Sequence, residues 1–268
     1  MTDQGFPVEE IDTSRPHPAR MYDYFLGGRD NYEVDREAAH RVLDVAPEVP
    51  ASARANRDFL GRAVRHLARS GIRQIIDIGT GIPTSPNTHE LAHSVSPDVR
   101  VAYIDNDPIV ATHAGARLLG TGNTGFFLGD MREPATILDH PTIGKLIDFD
   151  QPVALMLVSV LHFVKDDEDP AGMIAAYRDA LPSGSLLVLS HATGDFHLDH
   201  VDEVLEVYKK ASASLTARTH AEVLALFDGF ELIEPGLVQV PLWRPDGPEP
   251  DPDELRGISV YGGVGRKA

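Results

Sequence analysis

Three aspartates stand at the ends of three successive strand-like stretches, where each could bind a different part of one ligand. Asp77 precedes the glycine turn in "DIGTGIPTS", Asp105 ends "RVAYID", and Asp130 ends "GFFLGD". Asp77 suits an ammonium group and would sit badly beside a pyrophosphate, because its own charge is negative. Asp105 could accept hydrogen bonds from both hydroxyls of a ribose, and Asp130 could accept one from an exocyclic amine. Together the three predict a site for a positively charged nucleoside, for which S-adenosylmethionine is the obvious candidate.

The residues around these aspartates favour the same interpretation. Gly79 and Gly81 let a ligand approach the main chain closely, and Met131 could lie against a purine face. A dinucleotide-binding fingerprint would need a third glycine where Thr84 stands. An NAD-dependent oxidoreductase is therefore a weaker alternative for the same sheet. A lone Asp105 is also consistent with a simple helix cap.

Three side chains are candidates for catalysis. His162 lies near the end of the apolar stretch 153–164, His191 follows "SLLVLS", and Tyr22 belongs to the N-terminal arm. With S-adenosylmethionine as the ligand, the reaction considered is methyl transfer. A general base helps that reaction if the methyl acceptor is an oxygen or a nitrogen. Methyl transfer from a sulfonium can also proceed by positioning alone. For each histidine the alternative is a hydrogen-bonded structural residue.

The segment "HATGDFHLDH" (191–200) places His197 and His200 three residues apart. Metal sites use such spacings, but the chain has no cysteine and no second paired motif. We therefore interpret this segment as a loop that caps the next helix, and we predict no metal.

The elements that must position these residues alternate between strand and helix after Gly71. Apolar, non-alternating stretches at 75–78, 153–159 and 186–190 are typical of strands covered on both faces. The pattern predicts an α/β fold, a Rossmann-like doubly wound sheet. The predicted helices are 53–69 with a solvated arginine face, 86–95 with Ser85 as N-cap, 108–119, 133–138, 170–181, 199–213 and 219–227. Two further strands are predicted at 230–242 and 257–264.

The N-terminal segment "ARMYDYFLGGRDNYEVDREAAHRV" (19–42) contains two helix-compatible stretches separated by Gly27-Gly28. We predict that residues 1–50 form an arm and helical lid, and that 51–268 form the domain that binds the nucleoside. Within 20–36, Tyr22 and Phe25 would face the ligand and exclude water from it. The alternative is that these aromatic side chains only attach the arm to the core.

The composition excludes some partners. The chain has 24 basic and 41 acidic residues, for a net charge of −17, which disfavours nucleic acid and anionic membrane surfaces. Its apolar runs are shorter than the ~20 residues of a membrane-spanning helix, and no signal peptide is evident. We expect a cytoplasmic protein that acts on a small molecule, and the sequence predicts no oligomeric state.

Several of these motifs resemble those of a known family. "DIGTG", "YIDND", "GDM" and "LMLVSVLHFV" match the four motifs of class I S-adenosylmethionine-dependent methyltransferases. "ARMYDYFLGGRDNYEVDR", "DIGTGIPTSPNTHE" and "YGGVGRK" resemble an actinobacterial methyltransferase family long catalogued as a domain of unknown function. The resemblance implies S-adenosylmethionine as cofactor and a seven-stranded sheet with an antiparallel last strand. Pro83 replaces the third glycine of the usual first motif, which is a departure from the family pattern.

The resemblance also implies roles for single residues. Asp77 would lie near the methionine end of the cofactor and Asp105 at the ribose. Asp130 would lie at the adenine, and residues 159–162 would line the floor of the cofactor site. In all, the predicted cofactor contacts are Tyr22, Phe25, Asp77, Gly79, Thr80, Gly81, Asp105, Asn106, Gly129, Asp130, Met131, Ser159, Val160 and His162. The functional hypothesis is methyl transfer to a small acceptor; the alternative is a non-catalytic S-adenosylmethionine-binding regulatory protein.

Overall fold

Eight strands form one mixed sheet in the computed structural model, which describes residues 12–118, 122–196 and 201–268. The order is β3-β2-β1-β4-β5-β8-β6, and β7 also pairs with β8. Strands β1 to β5 are parallel, and β8 runs antiparallel to β5. The strands are β1 (Gln74–Ile78), β2 (Arg100–Asp105), β3 (Thr124–Leu128), β4 (Ala154–Val158), β5 (Leu186–Ala192), β6 (Phe230–Leu232), β7 (Val238–Gln239) and β8 (Val260–Lys267).

Helices cover both faces of the sheet, as the doubly wound pattern requires. The helices are α1 (Pro18–Phe25), α2 (Glu33–Val45), α3 (Val49–Arg69), α4 (Thr88–His93), α5 (Pro108–Arg117), α6 (Pro134–Leu138), α7 (Pro141–Leu146), α8 (Pro170–Ala180), α9 (Val201–Tyr208), α10 (His220–Ala225) and α11 (Pro252–Arg256). Apolar side chains of α3, α4 and α5 pack on one face, and those of α6, α7, α8 and α10 pack on the other. Ile75 and Ile76 belong to opposite clusters, because successive side chains of a strand alternate between faces.

The predicted Rossmann-like fold and the antiparallel last strand are confirmed, with one more strand than expected. The stretch 230–242 forms two short strands in place of one, because Pro235 and Gly236 interrupt it. Gly236 has a φ of 90°, a value that extended β-structure does not use. Both short strands pair with β8, so one interrupted strand forms this edge of the sheet.

Several predicted helix bounds were wrong. Helix α4 begins at Thr88 with Asn87 as its N-cap, so neither Ser85 nor Pro86 starts it. The Asn87 and Glu90 side chains form a capping box, which is a stronger start than the serine offers. Helix α9 ends at Tyr208, short of 213, and α7 was not predicted at all.

The arginine face of α3 is not simply solvated, contrary to the prediction. Arg57 donates to the carbonyls of Thr84 and Pro86, and Arg62 donates to those of Val240 and Trp243. These arginines therefore fasten two loops to the helix instead of facing only water.

The double glycine of the arm closes a tight turn between α1 and α2. Gly27 has a φ of 79°, and a Cβ atom at Gly28 would overlap the carboxylate of Asp23. That carboxylate accepts hydrogen bonds from the main chain of Asp30 and the side chain of Asn31. The arm then packs against α9 and the start of α3 in an apolar cluster of its own.

None of the helices within the described residues is both long and apolar enough to cross a membrane.

Candidate functional site

A cavity of about 530 Å³ lies at the carboxyl ends of the central strands, with the arm over it. Parallel strands end at one edge of a sheet, so the loops that follow β1, β2 and β4 meet there. Of the predicted cofactor residues, all except Asp130 line this cavity. Side chains from α1, α3 and α9 complete the lining.

Asp77 is buried at the end of β1 and faces this cavity. Its Oδ2 accepts a hydrogen bond of 2.7 Å from the hydroxyl of Thr88. Burial raises the pKa of Asp77 to about 6, because desolvation disfavours the charged form. Within the described part of the chain, no Lys, Arg or His forms an ion pair with it, which leaves the carboxylate available for a cationic ligand.

Asp105 ends β2, one strand away from Asp77. Its two oxygens accept main-chain hydrogen bonds of 2.7 Å from Gly81 and 2.9 Å from Asp107. Burial raises the pKa of Asp105 to about 6 as well. Each carboxylate oxygen can accept more than one hydrogen bond, so the pair of hydroxyls on a ribose could still bind.

The glycine loop depends on its lack of side chains. Gly79 has a φ of 74°, and a Cβ atom there would overlap Cγ2 of Val160. Gly81 has a φ of 67°, and a Cβ atom there would meet nothing within 4 Å. Ser159, just before Val160, has a φ of 54°, an uncommon value for a residue other than glycine. The loop after β4 therefore lies directly against the glycine turn.

His162 lines the cavity and is buried. Its Nδ1 accepts a hydrogen bond of 3.2 Å from the main-chain N–H of Ala192, which leaves the proton on Nε2. Burial lowers the pKa of His162 well below its usual range, so the ring is neutral at pH 7. This tautomer donates a proton in a hydrogen bond, whereas the predicted general base would have to accept one.

His191 does not line the cavity, contrary to its predicted catalytic place. Its Nδ1 donates to the carbonyl of Ala192 at 2.7 Å, and its Nε2 accepts from Arg218 at 2.8 Å. Both ring nitrogens are therefore occupied by structural hydrogen bonds, and burial lowers the pKa of His191 to about 4. These contacts favour the structural alternative for His191.

Asp130 also departs from its predicted place. Its carboxylate accepts hydrogen bonds of 3.1 and 3.2 Å from Arg132, and it lies outside the cavity lining. Its neighbours Gly129 and Met131 do line the cavity. The guanidinium of Arg132, two residues along the chain, pairs with this carboxylate.

The arm contributes Tyr22 and Phe25 to the cavity wall, where the lid hypothesis expects them. The Tyr22 hydroxyl donates to the carbonyl of Ala53 at 3.0 Å and accepts from Asn56 at 2.9 Å. A hydroxyl with both partners in α3 holds the arm in position and is not free for proton transfer. These contacts favour a positional role for Tyr22, and its catalytic role stays a prediction.

Sequence reasoning missed several residues of this site. Thr88 supports Asp77, and Asn56 links Tyr22 to Ser190, whose hydroxyl donates to the Asn56 carbonyl oxygen at 2.6 Å. Tyr208 of α9 lines the same cavity. The capping box at Asn87 could have indicated Thr88, since it fixes where α4 begins. No pattern in the sequence brings Asn56 or Tyr208 to the site.

The pair His197 and His200 lies outside the described residues. Within the residues that the structure does describe, no group of three or more His, Asp or Glu side chains could hold a metal ion.

Comparisons with other proteins agree with this architecture. The S-adenosyl methyltransferase family profile matches residues 4–268. The crystal structure of a DUF574 family protein from Streptomyces avermitilis superimposes with a TM-score of 0.92 at 46% identity, over 96% of this chain and 100% of that one. A candidate methyltransferase from Thermobifida fusca gives a TM-score of 0.90 at 42% identity, over 98% of each chain. An O-methyltransferase family protein from Burkholderia thailandensis shares the fold alone, with a TM-score of 0.52 at 12% identity, over 92% of this chain and 64% of that one. No curated protein matches the chain.

Proposed function

The chain belongs to the S-adenosyl methyltransferase family, and we propose that it methylates a small molecule held between the N-terminal arm and the sheet. It is an S-adenosylmethionine-dependent methyltransferase, as the family and the similar structures indicate. The observation that carries the proposal is the cavity itself. One continuous lining joins the acidic strand ends to a chamber beneath α1 and α9.

The residues present fit the cofactor. Asp77 is a buried carboxylate without a cationic partner among the described residues, so it would bind the cofactor's ammonium group. Asp105 would accept from the ribose hydroxyls. The main chain at Gly81 leaves open space where a side chain would otherwise stand. When bound, S-adenosylmethionine supplies a methyl group already activated by its positive sulfonium.

The chain's own residues would orient the acceptor and exclude water. Tyr22 and Phe25 close one wall of the cavity, and Asn56 fixes Tyr22 through its hydroxyl. His162 would donate a hydrogen bond from Nε2, because its Nδ1 is occupied by Ala192. The protein's main contribution to catalysis would therefore be to position the acceptor, with the acceptor's lone pair aligned with the methyl group of the cofactor.

Charge and enclosure support a small acceptor. The net charge of −17 disfavours nucleic acid, and a cavity of about 530 Å³ lies within the ordinary range for small ligands. We assign the enzyme to the cytoplasm, and a composition without cysteine is compatible with that reducing compartment. Similarity to proteins from Streptomyces and Thermobifida supports an actinobacterial origin.

Calorimetric titration with S-adenosylmethionine and with its demethylated product tests the site. We expect micromolar binding by the natural protein and by Asp98→Ala, which removes an exposed carboxylate outside the cavity, but not by Asp105→Ala. Failure of both ligands to bind the natural protein would overturn the proposal. Equal binding by Asp105→Ala would show that the cofactor lies elsewhere.

A further inference from the structure

A row of aromatic rings runs along the cavity from its floor toward the arm. The rings of His162 and Phe163 lie 4.4 Å apart between centroids at an angle of 71°. Those of Phe163 and Tyr208 lie 5.9 Å apart at 42°. All three residues line the cavity, and Tyr22 and Phe25 of the arm add two more rings to its wall.

The hydroxyl of Tyr208 makes no hydrogen bond within the described residues of the protein. The residue is 8% exposed and lines the cavity. Burial raises the pKa of its hydroxyl above the usual range, so it stays protonated at neutral pH. Within 12–118, 122–196 and 201–268 the hydroxyl makes no hydrogen bond, and its oxygen is not among the fully enclosed unpaired polar atoms, so it is accessible from the cavity. A polar group at the wall of a largely enclosed cavity is normally paired when a ligand fills that cavity, which points to a ligand group as its partner.

One wall of this chamber is apolar, although Arg15, Glu48 and Ser52 also line the cavity. Six aliphatic residues from α2, α3, α9 and the segments next to them line it, namely Val42, Ala46, Val49, Val204, Leu205 and Leu215. Binding of an apolar ligand to such a surface is favourable, because it removes apolar area from water. Aromatic walls favour flat rings in particular, since stacked and edge-to-face pairs add to the gain from burial.

From these contacts we propose that the methyl acceptor is a planar aromatic compound with a hydrogen-bonding substituent that reaches the hydroxyl of Tyr208. The ring would lie among Phe25, Phe163 and Tyr208, which places it beside the floor residue His162. This inference rests on the proposed function, because it assigns the chamber to the acceptor of that reaction. It makes Tyr208 a specificity-determining residue.

Naphthol and its fully saturated counterpart decahydronaphthol are suitable probes, with unsubstituted naphthalene as a third. Each is titrated calorimetrically into protein saturated with the demethylated cofactor. We expect naphthol to bind roughly tenfold more tightly than decahydronaphthol, as an aromatic contact predicts. Tyr208→Phe should weaken naphthol binding by about fivefold, the effect of one hydrogen bond, and leave naphthalene unchanged.

Tyr24→Phe is the matched control, because the Tyr24 hydroxyl contacts His40 and the residue does not line the cavity. It should bind every probe as the natural protein does. If the cofactor binds but naphthol is not preferred, or if no probe binds, the aromatic assignment is overturned while the proposed function stands. An unchanged naphthol affinity in Tyr208→Phe would overturn the role of that hydroxyl. Absence of cofactor binding would overturn the proposed function and this inference together.

Discussion

The hydroxyl of Thr88 donates a hydrogen bond of 2.7 Å to Oδ2 of Asp77, and both residues are buried. Thr88 is the first residue of α4, and Asp77 lies in β1. The start of a helix thus supports the carboxylate at the end of the preceding strand. The hydrogen bond favours the ionised form of Asp77, while burial opposes it.

Cofactor affinity should therefore depend on pH. Burial raises the pKa values of Asp77 and Asp105 to about 6, from ordinary values near 3.8. The cofactor's ammonium group needs the ionised carboxylate, so affinity should rise as pH rises through 6 and level off above it. Below 6 we expect roughly a tenfold loss per pH unit for each carboxylate that must lose its proton. Calorimetry from pH 5 to pH 8 measures this, and a flat profile would contradict it.

The stability of the free protein should have the opposite pH dependence for these two groups. A pKa raised in the folded state means that the folded protein binds the proton more tightly than the unfolded chain does. Their stabilising contribution is complete below about pH 4 and is lost as pH rises through 6. We expect the cofactor to increase the melting temperature more at pH 8 than at pH 5. Equal increases at both would argue against these carboxylates as its partners.

Thr88→Val should weaken cofactor binding by roughly tenfold at pH 7, since a hydrogen bond to a charged group is lost. The pKa of Asp77 would rise further, so part of the affinity should return at higher pH. Thr88→Ser keeps the hydroxyl and serves as the matched variant. Binding by Thr88→Val that equals binding by Thr88→Ser at every pH would exclude this supporting role.

The two glycines of the turn should respond differently to alanine. In Gly79→Ala the new methyl group overlaps Val160 at a φ of 74°, so we expect lost cofactor binding and destabilisation on the order of 3 kcal/mol. In Gly81→Ala the methyl group meets nothing within 4 Å, and only the backbone cost of about 1 kcal/mol remains. Urea unfolding compares the two variants. A larger loss of stability at Gly81 would show that packing against Val160 is not the decisive factor.

The arm should contribute to cofactor affinity as well as to stability. Phe25→Ala removes a buried ring and should cost about 3 kcal/mol or more. Tyr22→Phe loses the hydrogen bond to Ala53 and should cost about 1 kcal/mol. If these variants fold and still bind the cofactor as Tyr24→Phe does, the arm is only attached to the core and is not a lid.

His191→Ala should destabilise the protein without affecting the cofactor. The change leaves Nη1 of the buried Arg218 without its histidine partner, at a cost of about 1 to 3 kcal/mol. Cofactor affinity in the folded variant should match that of the natural protein, because His191 does not line the cavity. A large loss of cofactor affinity at unchanged stability would show that His191 has a functional role.

Local pattern in the sequence determined the order of the five parallel strands and of most helices, and the location of the loops that carry the ligand. Apolar runs such as 153–159 specify buried parallel strands, and parallel strands must bring their carboxyl ends to one edge. Asp77, Asp105 and the glycine turn therefore meet for a reason that is already present in the sequence. The double glycine of the arm likewise specifies a turn locally, because glycine disfavours the helices on either side of it.

Only the tertiary structure decided which way individual side chains face and which distant residues join them. Ser190 and His191 are neighbours in β5, yet the alternation of a strand sends Ser190 to Asn56 on α3 and His191 to Arg218. Asp130 turns to Arg132, and Tyr208 reaches the cavity because α9 packs against the arm. Most of these contacts join residues far apart in the chain, so they depend on how whole elements pack, which no local pattern specifies.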